Sequence, residues 1–140
     1  MRLVLDNSVS MRWLFGDGGK QAVDYANHVL DVLEMPEAEV MVPAIWSLEV
    51  ANVIARAEAK ALLTEARSSE FIGLLQEMNI RIDASTSVHA LDGSLQLARR
   101  FGLSAYDASY LELSLREGLP LATLDTDLRR AMKKTGVKLA

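Results

Sequence analysis

The sequence predicts an α/β fold of three layers, with helices on both faces of a central parallel sheet of about five strands. Two observations lead there. Brief runs of β-branched or apolar residues, Arg2–Leu5, Glu39–Val42 and Leu119–Leu124, stand between turn-forming breakers as strands do. Long stretches with helical spacing separate them, and strands joined by helices pair in parallel with both sheet faces covered. Ile80–Asp83 and Val137–Leu139 complete the expected five strands.

The helices follow in order. One begins near Ser8, and another covers about Gly19–Leu33. Pro43 suits the first turn of a helix reaching about Ala61, because an N–H is dispensable there. Thr64 can cap the next, through about Met78. Ser85 or Thr86 opens a helix that Gly102 can close, and Ser104 opens one ended by Gly118. The last spans about Thr126–Thr135, with Gly136 behind it. No repeat or linker interrupts residues 1–140, which read as a single domain. The turn Gly16-Asp17-Gly18-Gly19 lacks the spacing of a phosphate-binding loop.

Composition narrows the chemistry. Half of the 140 residues are hydrophobic, as in globular proteins. No apolar run approaches the roughly 18 residues of a membrane helix. Met1–Asp6 reads as a strand rather than an export signal, so a cytoplasmic location away from membranes is expected. The chain has no cysteine, which excludes disulfides, thiolate metal sites and a thiol nucleophile. Its two histidines, His28 and His89, do not suggest a zinc site. The net charge of −4 gives no general attraction for a polyanion. Divalent cations on four carboxylates would bring that charge to zero, and contact with nucleic acid would then depend on a local patch.

Four acids occupy suggestive places. Asp6 directly follows Leu3-Val4-Leu5, and Asp125 directly follows Leu119–Leu124. Both lie at the carboxyl ends of strands, where open parallel sheets bind ligands. Each is also a good helix N-cap. Glu49 is the sole charge between Ala44 and Ala55, and it shares one helical face with Asn52, Arg56 and Lys60. That face is either solvated or borders a cleft. Asp107, three residues after Ser104, fits a capping box as well as a ligand. Together such acids suit magnesium or manganese, which prefer hard oxygen donors and activate water for phosphodiester hydrolysis.

The segments VLDNSV, SLEVANVI and LSAYDASYLELSLREGLPLATLDTDL, with the lengths between them, resemble PIN-domain proteins over essentially the whole chain. The likeness is nearest to VapC-type toxins of bacterial type II (VapBC) toxin–antitoxin pairs, and Leu103–Leu128 is its most specific part. The resemblance implies an endoribonuclease dependent on one or two Mg2+ or Mn2+ ions, leaving 5′-phosphate and 3′-hydroxyl ends. It assigns catalysis and metal binding to Asp6, Glu49, Asp107 and Asp125, and matches Asp127 to a more variable acidic position. Ser8 and Thr123 fall on small hydroxyl positions lining the site, beside Asn52. It further implies a homodimer and a VapB-type antitoxin whose peptide crosses the active-site groove. RNA is the implied substrate, with tRNA, rRNA and messenger RNA all open, and Arg56, Lys60, Arg129, Arg130, Lys133 and Lys134 are candidate contacts.

Two other classes account for some of these features. An aspartyl-phosphate phosphotransferase would use Asp6 as nucleophile, although Ser8 stands where haloacid-dehalogenase-like phosphatases carry a second Asp. A non-catalytic RNA- or protein-binding module would tolerate loss of the acids. Trp13, Trp46 and Tyr106 are read as core or interface residues rather than base-stacking platforms, and Trp13 and Trp46 as alternative linings of a partner groove.

Overall fold

The computed structural model describes residues 1–140. Its strands are β1 (Arg2–Leu5), β2 (Glu39–Pro43), β3 (Ile80–Asp83) and β4 (Leu121–Ala122). All neighbouring pairs are parallel, in the order β3-β2-β1-β4. The first three strands add to one side and β4 to the other, so the direction of winding reverses between β1 and β4. That reversal opens a crevice at the carboxyl ends of the two strands. Successive strand side chains point to opposite faces, yet Leu3, Val4 and Leu5 are all buried, so both faces of β1 are covered.

The covering helices are α1 (Asn7–Phe15), α2 (Lys20–Leu33), α3 (Ile45–Ala59), α4 (Glu65–Glu77), α5 (Thr86–His89), α6 (Leu95–Phe101), α7 (Ala105–Glu117) and α8 (Thr126–Thr135). None is long and apolar enough to cross a membrane. Local chemistry explains their ends. Thr64 Oγ1 accepts from Arg67 N–H, and Ser104 Oγ accepts from Asp107 N–H. Gly102, Gly118 and Gly136 close their helices with positive φ. The Trp46 indole N–H donates to Ser10 Oγ at 3.1 Å, which ties α3 to α1. The Trp13 indole N–H donates to Ala26 O at 2.8 Å, which ties α1 to α2. Both indoles are thereby built into the packing.

Four expectations change in detail. The sheet has four strands rather than about five, because Val137–Leu139 contributes only an isolated parallel bridge from Leu139 to Leu121. β4 itself is two residues long: Pro120 lacks an N–H for the ladder, and Thr123 already turns its hydroxyl toward the site. Pro43 ends β2 instead of opening α3, in register with Asp83 on β3 and beyond the last β1 pairing. The helix expected up to Gly102 is split by a π-helical segment at Ala90–Ser94. A Cβ on Gly93 would lie 3.2 Å from Glu112 Cγ, so the irregular turn brings bare backbone against α7.

α7 is the most deeply buried helix, with Tyr110, Leu111 and Leu113 fully enclosed. An ion cluster holds its far end. Arg116 donates to Glu112 Oε1 at 2.8 Å and to Asp83 Oδ2 at 2.5 Å, joining α7 to the end of β3. Asp83 and Glu112 are both buried, and the one guanidinium serves both charges, with Ser85 N–H and Thr86 Oγ1 also donating to Asp83. Arg116→Ala is expected to destabilise the fold by about 3 kcal/mol, as removal of one partner from a buried ion pair does. Urea unfolding of the two proteins at neutral pH measures the difference, and an unchanged midpoint would show the cluster to be solvated.

Candidate active site

Asp6 leaves β1 at the crevice and is 4% exposed. It occupies the N-cap position of α1, but its carboxylate makes no capping bond. Two hydroxyls claim it instead: Ser8 Oγ donates to Oδ2 at 2.5 Å and Thr123 Oγ1 donates to the same oxygen at 2.8 Å. Those hydroxyls accept in turn, Ser8 Oγ from Leu124 N–H at 3.0 Å and Thr123 Oγ1 from Asp125 N–H at 3.1 Å. Asp6, Ser8 and the Thr123–Asp125 segment therefore form one network across the switch point.

Asp125 is the N-cap of α8, where Oδ1 accepts from Leu128 N–H at 2.8 Å. A carboxylate has lone pairs to spare after one such bond. Asp107 sits in the first turn of α7, and the capping box there is half made. Ser104 Oγ accepts from Asp107 N–H at 3.0 Å, but no return bond from Ser104 N–H ties up the Asp107 carboxylate. Glu49, half-buried on α3, accepts the Tyr110 hydroxyl on Oε1 at 2.5 Å. The fold thus brings to one place acids from β1, α3, α7 and α8.

These acids repel one another. Burial and then the charges of Asp6 and Asp125 push Asp107 up to about 6. Burial raises Glu49 above the ordinary carboxylate range, against the Tyr110 hydrogen bond, and the charges of Asp6 and Asp107 add to the rise. Asp6 is raised by burial and by Asp125, although the Ser8 and Thr123 hydroxyls favour its charged form. No three acids or histidines are drawn into a ready-made metal-binding group. The donor set nonetheless fits a hard divalent cation, since mutually repelling carboxylates on separate elements are what such a cation stabilises. Asp6, Glu49, Asp107 and Asp125 are the residues that would hold it.

The remaining expected residues are spread around this centre. Asn52, Arg56 and Lys60 are exposed along α3 beyond Glu49. Asp127 is exposed in the first turn of α8 and pairs with Arg130 at 3.0 Å. Arg129 turns inward: Nε donates to Thr123 O at 2.7 Å and the guanidinium lies over the Tyr25 ring. Lys133 and Lys134 are exposed in the last turn of α8, roughly 12 Å along the helix from Asp125. Tyr110 was not singled out by the sequence. Its only hint is its place three residues after Asp107, on the same helical face.

The larger hollows lie elsewhere. An apolar groove of about 380 Å³ between α3, α4 and β3 is lined by Trp46, Val50, Ile54, Leu75 and Ile80 among others, with no acid. The acids lie apart from that groove, Asp6 buried and Glu49, Asp107 and Asp125 half-buried.

The sequence matches the PIN domain over residues 3–134. The chain belongs to the PIN-domain family. Among solved structures, the VapBC2 complex from Rickettsia felis, bound to a DNA fragment from its promoter, superposes with a TM-score of 0.65 at 14% identity, covering 100% of this chain and 98% of that one. A toxin–antitoxin complex from Klebsiella pneumoniae gives a TM-score of 0.55 at 20% identity, covering 89% and 87%. VapC20 from Mycobacterium tuberculosis, described as a Sarcin-Ricin loop cleaving toxin, gives 0.59 at 15% identity, covering 92% and 94%. No curated protein matches the sequence significantly. At these identities the structural likenesses establish a shared PIN fold.

In this PIN domain the raised acid at Asp107 links folding to pH. Its folded pKa of about 6 exceeds the ordinary value of 3.8, so the folded state binds the proton more tightly than the unfolded chain. Stability from that proton is fully present below the unfolded value and is lost as pH rises through about 6. The metal-free protein should therefore melt higher at pH 5 than at pH 7.5. Asp107→Asn should stabilise the fold at pH 7.5 by on the order of 1 kcal/mol after allowance for solvent screening, and so raise the melting temperature. Calorimetry in chelator tests both, and a melting temperature that falls steadily from pH 7.5 to 5 would contradict the repulsive cluster.

Proposed function

We propose that this PIN domain is a metal-dependent endoribonuclease, the toxin of a toxin–antitoxin pair, which hydrolyses RNA phosphodiesters to 5′-phosphate and 3′-hydroxyl ends. One observation carries the reading: Asp6, Glu49, Asp107 and Asp125 meet at the switch point of a PIN fold. The toxin role draws on the VapBC2, Klebsiella and VapC20 neighbours.

The four acids would hold one or two Mg2+ or Mn2+ ions, with Asp127 near enough to act on Asp107 and so available to a second. When bound, such ions supply a water of lowered pKa and neutralise charge on the reacting phosphate. The residues of the chain provide position. Ser8 and Thr123 hold one oxygen of Asp6, which fixes the plane of its carboxylate. The α8 N-terminus, capped by Asp125, presents backbone N–H groups and a favourable dipole to a phosphate group. Asn52, Arg56 and Lys60 lie along α3 to meet the flanking strand. We further assign to the protein a cytoplasmic role, a homodimeric state and a VapB-type antitoxin as partner, with a structured RNA such as tRNA or rRNA as substrate.

Asp6→Ala and Asp107→Ala should each slow cleavage of total RNA by about a thousandfold, the scale of several kcal/mol of lost charge stabilisation. Chelation of divalent ions should do the same to the unaltered protein. Full cleavage by either variant, once contaminating nuclease is excluded, would falsify the reading. Mn2+ at a hundred times its dissociation constant should stabilise the folded protein by about 2.7 kcal/mol. Thermal melts with and without Mn2+ measure that, and the Asp6→Ala protein should show a much smaller shift.

A further inference from the structure

Tyr110 is fully buried on α7, one turn beyond Asp107, yet it carries a hydroxyl that burial obliges to find partners. Its O–H donates to Glu49 Oε1 at 2.5 Å. One hydroxyl thereby ties α7 to α3.

Glu49 has little else to hold it. Tyr110 is the sole hydrogen-bond partner of its carboxylate, and no lysine, arginine or histidine pairs with it. Asp6 and Asp107 repel it, and the neighbouring Leu48 and Asn52 are exposed. A glutamate side chain released from a partner regains rotamer freedom. Repulsion and entropy would both carry Glu49 away from the other acids into solvent. We propose that Tyr110 is a positioning residue, whose buried hydroxyl keeps the Glu49 carboxylate within the acidic cluster and so completes the cation site. The inference rests on the nuclease reading, because that reading gives the cluster its cation.

Tyr110→Phe removes the hydroxyl and keeps the ring, so the core remains filled. The Mn2+ dissociation constant, measured by calorimetry, should rise about tenfold, since outer partners of metal ligands typically govern affinity by 10–100-fold. In a Glu49→Gln background the same substitution should add little, because the two residues act as one unit. The crystal structure of metal-free Tyr110→Phe should show the Glu49 carboxylate displaced from its present place. A lowered melting temperature with unchanged Mn2+ affinity, or fully additive effects in the double variant, would reduce Tyr110 to a packing residue. Should the unaltered protein bind no Mn2+, the nuclease reading fails on its own, and the Tyr110→Phe structure still decides the positioning. Glu49 held in place there overturns it.

Discussion

A buried carboxylate at the end of the central strand makes demands on everything around it. Asp6 stands where β1 leaves the core, and a charge so enclosed is tolerated only with hydrogen bonds to its ionised form. The two hydroxyls that provide them come from either side of the crevice, Ser8 on α1 and Thr123 after β4. Their remaining lone pairs receive Leu124 and Asp125 N–H groups, which fixes the path of the chain into α8. Arg129 closes the same segment from the far side through the Thr123 carbonyl. The placement of Asp125 is thus a consequence of satisfying Asp6, and the two strands flanking the switch point are joined by more than their short ladder.

The same crowding explains why α7 is anchored so heavily. It carries Asp107 toward two other acids, an arrangement the folded chain resists, and the helix must be held against that resistance. Its apolar residues are enclosed, and Arg116 ties its C-terminal half to β3. Tyr110, between the two, turns part of the same buried surface to the service of Glu49. Rigid burial at one end of the helix and like-charge repulsion at the other fit a site whose acids are preorganised for a cation.

Local chemistry was legible in the sequence and long-range chemistry was not. Thr64 and Ser104 cap helices through bonds to residues three positions on, and Gly102, Gly118 and Gly136 end them, so short motifs sufficed. The acids Asp6 and Asp125 were found by strand-end position, which survives even though β4 shrank to two residues. The π-helical segment was hidden because Gly93 meets Glu112 across the fold. Tyr110 and Glu49 are 61 residues apart, and no local pattern connects them. Arg129, a candidate nucleic-acid contact by its position on a basic helix, is drawn inward by Tyr25 and Thr123.

That inward turn bears on how an acidic chain would meet RNA. With Arg129 committed to Thr123 and Arg130 paired to Asp127, Lys133 and Lys134 are the exposed cations of α8 without an acidic partner, and these stand in its last turn, away from the acids. Arg56 and Lys60 lie on the other arm of the crevice, along α3. Neither set of cations is dense enough to bind RNA by charge alone. Counterion release from so few contacts gives a shallow dependence of affinity on salt. On the proposed nuclease reading, attraction at the centre would come from cations held by the carboxylates, which would link binding of metal to binding of RNA. A site of this kind selects by the shape of the RNA it can admit rather than by general electrostatic capture.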